Sequence, residues 1–283
     1  MSTILVTGAT TGLGLALAKL LFMRTSSVLV LTGRESSLPR LAAEGLDTVE
    51  RICPMALDVA DEDQRCNVVE SINRSYGGVD VLINNAGVAY RSVVEHVTEE
   101  ERLEQMGVNF RGPMELARLV LPYMRQARSG RIINVSSVGG MMAMPTMAVY
   151  SASKFALEGA TEALYYEVKP WNIKVSLIEP GFVHSSSFQK VHYTNLGADA
   201  ERNVEDPYYM HYHHMTPFIE RMMNLTIATP EKVARKIFQT VLSSSPPLRV
   251  RATPDAYPFD MLRRLYHWIL YRSLPGVAEW GPR

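Results

Sequence analysis

Cysteine is scarce: Cys53 and Cys66 are the only two in the chain, and they form no spaced metal or disulfide framework. That excludes a disulfide-stapled secreted scaffold and a cysteine-ligated zinc fold. An excess of one charge is also missing. Twenty-nine basic and 29 acidic residues cancel, so no overall field draws in DNA, RNA or an anionic membrane, and no nucleic-acid partner is expected. No apolar run reaches the roughly 18 residues of a spanning helix. The chain opens on a β-branched strand pattern rather than a charged leader with an apolar core. These features predict a reduced, cytoplasmic protein. What is present is 47% hydrophobic content over 283 residues. That is enough for one sizeable core, and a single domain over 1–283 is expected.

The short apolar run Ser2 to Thr7 leads into Gly8-Ala-Thr-Thr-Gly12-Leu-Gly14 and then a helical pattern from Leu15 to Leu21. Strand, glycine turn and helix form the context in which glycines let backbone approach a pyrophosphate held at a helix N-terminus. The glycine spacing here is three residues and then one, not the common dinucleotide fingerprint. A tight turn without a ligand is the plainer reading.

Val28 to Thr32 reads as a second strand, ending at Gly33 and Arg34. In a dinucleotide fold an acid at this point bonds the ribose 2′-hydroxyl, whereas an arginine accommodates a 2′-phosphate. The acid is missing, so Arg34 favours NADP(H) over NAD(H), against the alternative of a solvated surface charge. Ile52 to Leu57 reads as a third strand ending at Asp58-Val59, and an acidic helix follows over Asp61 to Tyr76. Val79 to Ile83 is a fourth strand, ending in Asn84-Asn85-Ala86-Gly87. At the carboxyl edge of a parallel sheet such a turn faces ligand, although Asn and Gly also suit an ordinary turn. Asn109 falls in a helical run from about Thr98 to Met124, where a buried asparagine bonds backbone and kinks the helix.

A strand ending in Ser136 and Ser137 precedes a Gly/Met-rich loop and then Tyr150-Ser-Ala-Ser-Lys154 at the start of a long helix. Positions four apart share a helix face, so Tyr150 and Lys154 project into one site. A free phenol has a pKa near 10, and a neighbouring ammonium favours phenolate. A serine hydroxyl can then hold a carbonyl oxygen while Tyr150 transfers its proton. On chemistry alone Ser136 and Ser137 both qualify.

In order and at family spacing, Thr7-Gly8-x-x-x-Gly12-x-Gly14, Asn84-Asn85-Ala86-Gly87, Asn109, Ser137, Tyr150-x-x-x-Lys154 and Pro180-Gly181 resemble the short-chain dehydrogenase/reductase family. The likeness covers about residues 3 to 185. It implies an α/β fold, a Rossmann-like, doubly wound parallel sheet of about seven strands. It implies Tyr150 as acid/base and Ser137 as the hydroxyl that positions the substrate oxygen. It also implies that Lys154 lowers the tyrosine pKa and binds the nicotinamide ribose, and that Asn109 holds a relay water. Beside Arg34 and Lys154, the expected cofactor contacts are Gly8, Thr10, Thr11, Gly12, Leu13, Gly14, Asp58, Val59, Asn85, Ala86, Gly87, Tyr150, Pro180, Gly181, Val183 and Ser185. Ser185 replaces a threonine the family often has there. Thr11 stands where some NADP-dependent members have a basic residue. The family suggests a homodimer or homotetramer built on the helices that hold Asn109 and Tyr150.

The stretch from Ser137 through Tyr150 to Gly159 is locally similar to the branch of estrogenic hydroxysteroid and retinol dehydrogenases. Met141, Met142, Met144 and Met147 lie within it as either an adaptable substrate wall or core packing. Residues 186–229, rich in Tyr, His and Met, are expected to cover a small lipophilic substrate. His211, His213 and His214 lack a carboxylate or cysteine frame, so no metal is expected. Thr229-Pro230-Glu231 starts another helix, through about Leu242, and Leu248 to Arg251 reads as a last strand. The extension over 255–283 contains an amphipathic pattern from Asp260 to Leu274. Its basic side suits packing on a subunit or contact with a membrane surface. The functional expectation is NADP(H)-dependent exchange between an apolar alcohol and its carbonyl. The alternatives are reduction of a 3-oxoacyl thioester, and a cofactor-binding regulator or scaffold without turnover.

Overall fold

The computed structural model describes residues 2–47, 49–184 and 193–265. Strands β1 (Thr3–Val6), β2 (Val28–Gly33), β3 (Ile52–Ala56), β4 (Val81–Asn84), β5 (Gly130–Val135), β6 (Ile173–Glu179) and β7 (Arg249–Arg251) pair in the order β3-β2-β1-β4-β5-β6-β7. Every pairing is parallel. The helices are α1 (Gly12–Arg24), α2 (Pro39–Ala43), α3 (Glu62–Tyr76), α4 (Glu99–Met106), α5 (Gly112–Ala127), α6 (Ala148–Val168), α7 (Asn195–Arg202), α8 (Tyr209–Leu225), α9 (Pro230–Leu242) and α10 (Ala256–Leu265). The expected doubly wound Rossmann-like α/β fold is thus found.

The strands are apolar on both sides because both sides are covered. Successive side chains point to opposite faces of a strand. Along β2, Leu29 and Leu31 join Leu17 and Leu21 of α1 and Val233 and Ile237 of α9. Val28 and Val30 join Val68 and Ile72 of α3, Leu116 and Val120 of α5 and Leu164 of α6. These two cores place α1 and α6 on opposite faces, so the glycine turn and the Tyr150 helix approach one sheet edge from two sides. From β1 the chain winds outward through β2 and β3, then returns to β4 on the other side of β1. The connections part at that point, and a crevice opens above the carboxyl ends of the strands.

Several boundaries differ from the sequence reading. The run from Thr98 to Met124 divides into α4, a π-helical turn at Gly107–Arg111, and α5, which continues to Ala127. Thr98 caps α4 reciprocally with Glu101. Gly112 and Pro113 do not interrupt the structure, because a proline in the first turn has no intrahelical N–H to lose. The third strand stops at Ala56 and the last begins at Arg249. The C-terminal helix starts at Ala256, before the expected Asp260. The remainder of that pattern, 266–274, and the rest of the extension to 283 lie outside the described residues. Within the expected cover, residues 193–229 form α7 and α8, and α8 packs Met215, Ile219 and Met223 against Phe182 and Phe218. Among the described residues no helix is long and apolar enough to cross a membrane.

Candidate active site

The glycine turn is shaped by close backbone approach. Gly8 has φ +63°, and a Cβ there would stand 2.9 Å from Ala86 Cα. A Cβ on Gly14 would stand 2.0 Å from the Gly8 carbonyl oxygen. Any side chain at either position would force the turn away from β4. Thr7 Oγ1 accepts from the amides of Asn85 and Ala86, both at 3.0 Å, and Asn85 Nδ2 donates to the carbonyls of Thr7 and Gly8 at 3.0 Å. The Asn85 amide is therefore committed to the glycine turn. Asn84 is buried and donates to Asn134 Oδ1 at 2.7 Å and to the Pro113 carbonyl. Thr11 occupies the N-cap of α1 without a side-chain capping bond, so the first-turn amides are free to face a pyrophosphate.

A cavity of about 460 Å³ runs along this edge. Thr10, Thr11, Gly12, Leu13 and Gly14 line its middle, and Gly33, Arg34, Ser37 and Arg40 line the end beyond β2. Thr10 Oγ1 donates to Ser37 Oγ at 3.1 Å, and Ser37 Oγ donates to the Arg34 carbonyl at 2.7 Å. These bonds fix the segment from Arg34 to Ser37 that leads into α2, where Arg40 sits. Asp58 and Val59 form the opposite wall. The Asp58 carboxylate accepts from Ala60 N at 2.9 Å, holding its own turn.

At the other end of the cavity stand Ala86, Gly87, Val88, Ser136, Ser137, Tyr150, Lys154, Pro180, Gly181 and Val183. Asn109 lies in the π-helical turn and is fully buried. Its Oδ1 accepts from Val88 N at 2.9 Å, and its Nδ2 donates to Val88 O at 2.7 Å and Ser153 Oγ at 3.0 Å. Ser153 in turn donates to the Tyr150 carbonyl at 2.7 Å. Asn109 thus ties the loop after β4 to the first turn of α6. Replacing it with alanine removes two bonds to the part-buried Val88 backbone and one to Ser153, at about 0.5–1.5 kcal/mol each. We expect Asn109→Ala to lower the unfolding free energy by roughly 1.5–4.5 kcal/mol in a denaturant titration.

Ser137 Oγ accepts from Gly139 N at 3.1 Å, and a Cβ on Gly139 would lie 3.0 Å from Tyr150 Cε1. The serine turn and the Tyr150 ring are in contact. Burial pushes the Tyr150 phenol above its usual pKa, and a hydrogen bond with Ser137 opposes the shift. Lys154 is buried, donates from Nζ to the Val135 carbonyl at 3.0 Å, and lies 5.9 Å from the centre of the Tyr150 ring. The expected lowering of the phenol by Lys154 is not what shifts Tyr150 here: burial is the larger cause, and the ammonium is turned to a backbone carbonyl. Burial lowers Lys154 itself to about 8, with Glu158 acting in the opposite direction. A lysine lowered in this way binds its proton more weakly folded than unfolded. Its contribution to stability therefore rises with pH between about 8 and the ordinary value of 10.5.

Of the other sequence candidates, Ser185 lies outside the described residues. Met141 and Met142 are corrected from a possible substrate wall to core: they pack against Phe259 and Leu262 of α10 and do not line the cavity. Met144 is buried as well, and Met147 bridges to Ser92. His211, His213 and His214 lie in α8, where His213 stacks on Tyr209. No cluster of three or more metal-ligating side chains occurs among the described residues. Sequence reasoning missed Ser37 and Arg40. Their only signal is a serine and a cation near a proline-initiated helix. It also missed Asp255, whose Oδ2 accepts from Phe182 N at 2.8 Å and sits where a Gly181 side chain would go.

The doubly wound sheet, the glycine turn at its switch point and the Ser137-Tyr150-Lys154 end define a dinucleotide-dependent oxidoreductase. The fit is physical: open first-turn amides, a Gly14 backbone with no room for a side chain, and one continuous cleft. Comparison with known proteins agrees. The model of the short chain dehydrogenase family matches residues 2–195. A 3-ketodihydrosphingosine reductase of Bacteroides thetaiotaomicron is 34% identical, over 89% of this chain and 87% of its own. A 3-oxoacyl-(acyl-carrier-protein) reductase of Thermotoga maritima is also 34% identical, over 66% of this chain and 76% of its own. The crystal structure of a short-chain dehydrogenase from Streptomyces avermitilis superposes with a TM-score of 0.80, at 29% identity and 99% coverage of both chains. The chain belongs to the short-chain dehydrogenase/reductase family and is an NAD(P)-dependent dehydrogenase or reductase.

Proposed function

We propose that the protein uses NADP(H) to interconvert a lipophilic alcohol and its ketone or aldehyde, with Tyr150 as the acid/base. The observation that carries this reading is one cleft with Arg34 and Arg40 at one end and Ser137, Tyr150 and Lys154 at the other. A bound nicotinamide supplies or accepts the hydride. In reduction, Ser137 Oγ donates to the carbonyl oxygen, which lowers the cost of the charge that develops there. The Tyr150 hydroxyl gives that oxygen its proton, and the Lys154 ammonium stabilises the phenolate left behind. Asn109 holds the start of α6 and the Val88 loop in register during the transfer.

Two observations support a lipophilic substrate. Val88, Ala89 and Val183 line the reacting end, and α8 presents an apolar cluster against Phe182 beside it. The 3-ketodihydrosphingosine reductase aligns with 89% of this chain at 34% identity, which also supports this reading. Exposed Tyr123, Phe155 and Tyr166 on α5 and α6 support a homodimer or homotetramer built on those helices, and the balanced charge and scarce cysteine of the sequence support a cytoplasmic location.

The test is a panel followed by loss of reduced nicotinamide absorbance. It contains 3-ketodihydrosphingosine, a steroid ketone, retinal, acetoacetyl-coenzyme A and a small polar ketone. The expected result is NADPH-dependent turnover of at least one lipophilic carbonyl, well above the small ketone. Turnover of the thioester alone would move the assignment to 3-oxoacyl reduction. NADPH binding with no turnover of any member would favour a regulator or scaffold.

A further inference from the structure

The line of reacting side chains on α6 continues past Lys154. Tyr150, Lys154 and Glu158 follow one another at steps of four, each step turning by about 40° around the helix, so Glu158 faces the sheet one turn beyond the lysine. Glu158 and Ser136 are each 3% exposed. Ser136 Oγ donates to Glu158 Oε1 at 2.8 Å, and Arg249 Nη1 donates to Glu158 Oε2. Arg249, the first residue of β7, also bonds Glu179 Oε1 at 2.6 Å and Glu162 Oε2 at 2.8 Å. Three carboxylates thus meet at the Arg249 guanidinium, and of these Glu158 is the one that acts on Lys154.

Two contacts lead from this cluster to the reacting groups. Lys154 Nζ donates to the carbonyl of Val135, the residue before Ser136. A Cβ on Gly140 would stand 2.8 Å from Ser136 Oγ and 3.0 Å from Glu158 Oε1, so the turn after Ser137 rests directly on the Ser136-Glu158 bond. Gly140 N closes that turn by donating to the Ser137 carbonyl at 2.9 Å. Stability alone does not account for such a cluster, since buried ion pairs contribute little net stability compared with well-packed apolar residues.

We propose that Glu158, clamped by Arg249 and Ser136, is a positioning residue for the reaction: its carboxylate fixes the turn that aims Ser137 and supplies the negative charge facing Lys154. This rests on Ser137, Tyr150 and Lys154 being the reacting set. Burial pulls Lys154 down and Glu158 opposes that pull. The other charged groups packed around this point are Arg249 from β7, Glu179 from β6 and Glu162 from α6. The Tyr150 phenol lies on the cleft side.

Glu158→Gln keeps the size and the acceptor for Ser136 but removes the charge. In protein labelled with carbon-13 at lysine Cε, the Lys154 signal is assigned by its loss in Lys154→Met and titrated by NMR. The expected result is a fall in the Lys154 midpoint by about one pH unit in Glu158→Gln. The alkaline limb of NADPH-dependent ketone reduction should fall by the same amount. Glu158→Asp, which keeps the charge, should restore the limb. Ser136→Ala should lower kcat without moving it. An unmoved Lys154 midpoint in Glu158→Gln would overturn the proposal, as would wild-type kcat and pH profile in a variant that merely melts earlier. If the wild type reduces no carbonyl, the functional reading fails, and the NMR titration still decides the role of Glu158.

Discussion

Replacing Tyr150 with phenylalanine is expected to lower turnover by about 10²- to 10⁴-fold, the usual cost of losing one positioned acid/base. The change deletes one oxygen, and the ring keeps its contact with the Gly139 turn. NADPH affinity and the thermal midpoint should stay close to wild type, because neither the glycine turn nor the arginine loop touches the phenol oxygen. Steady-state rates on the best substrate of the panel, together with NADPH fluorescence titration, give the comparison. A variant that turns over at the wild-type rate would remove Tyr150 from the chemistry. A variant that also loses NADPH binding would point to a structural role.

The second large effect is expected at the far end of the cleft. Arg34→Asp removes a cation from the cavity wall and places an anion where a 2′-phosphate would sit. A hydrogen bond to a charged group is worth about 1.5–3 kcal/mol. Arg34 is exposed, so screening favours the lower end of that range. At 1.4 kcal/mol per tenfold, the preference for NADPH over NADH should shift toward NADH by about one to two orders of magnitude. Arg40→Ala in the same background should extend the shift, since its side chain borders the same space. Equal wild-type affinities for the two cofactors would reduce both arginines to surface charges.

The parts of the protein legible in the sequence are those whose physics is local. Short β-branched runs gave the central strands, because parallel strands covered on both faces need apolar residues at every position. The glycine turn, and Tyr150 with Lys154, depend on spacing within a single turn or helix. The π-helical turn was not legible: it forms around Asn109, whose partner Val88 lies on another segment. The Met141 loop was ambiguous for the same reason. Met141 and Met142 pack on Phe259 and Leu262, more than a hundred residues away. Glu158 and Arg249 are 91 residues apart, and no periodicity within either segment reports a bond between them. Arg40 is exposed, and only the folding of its loop back over Gly33 brings it to the cleft.

The central claim is that hydride passes within this cleft between a nicotinamide and a lipophilic carbonyl while Tyr150 handles the proton. Its most direct measurement uses NADPH deuterated at nicotinamide C4, each stereoisomer in turn, with a long-chain ketone and mass analysis of the alcohol formed. The account predicts one deuterium on the carbinol carbon from one of the two isomers, and almost none over the same time with Tyr150→Phe. Saturable NADPH binding with no deuterated alcohol from any lipophilic carbonyl would contradict it.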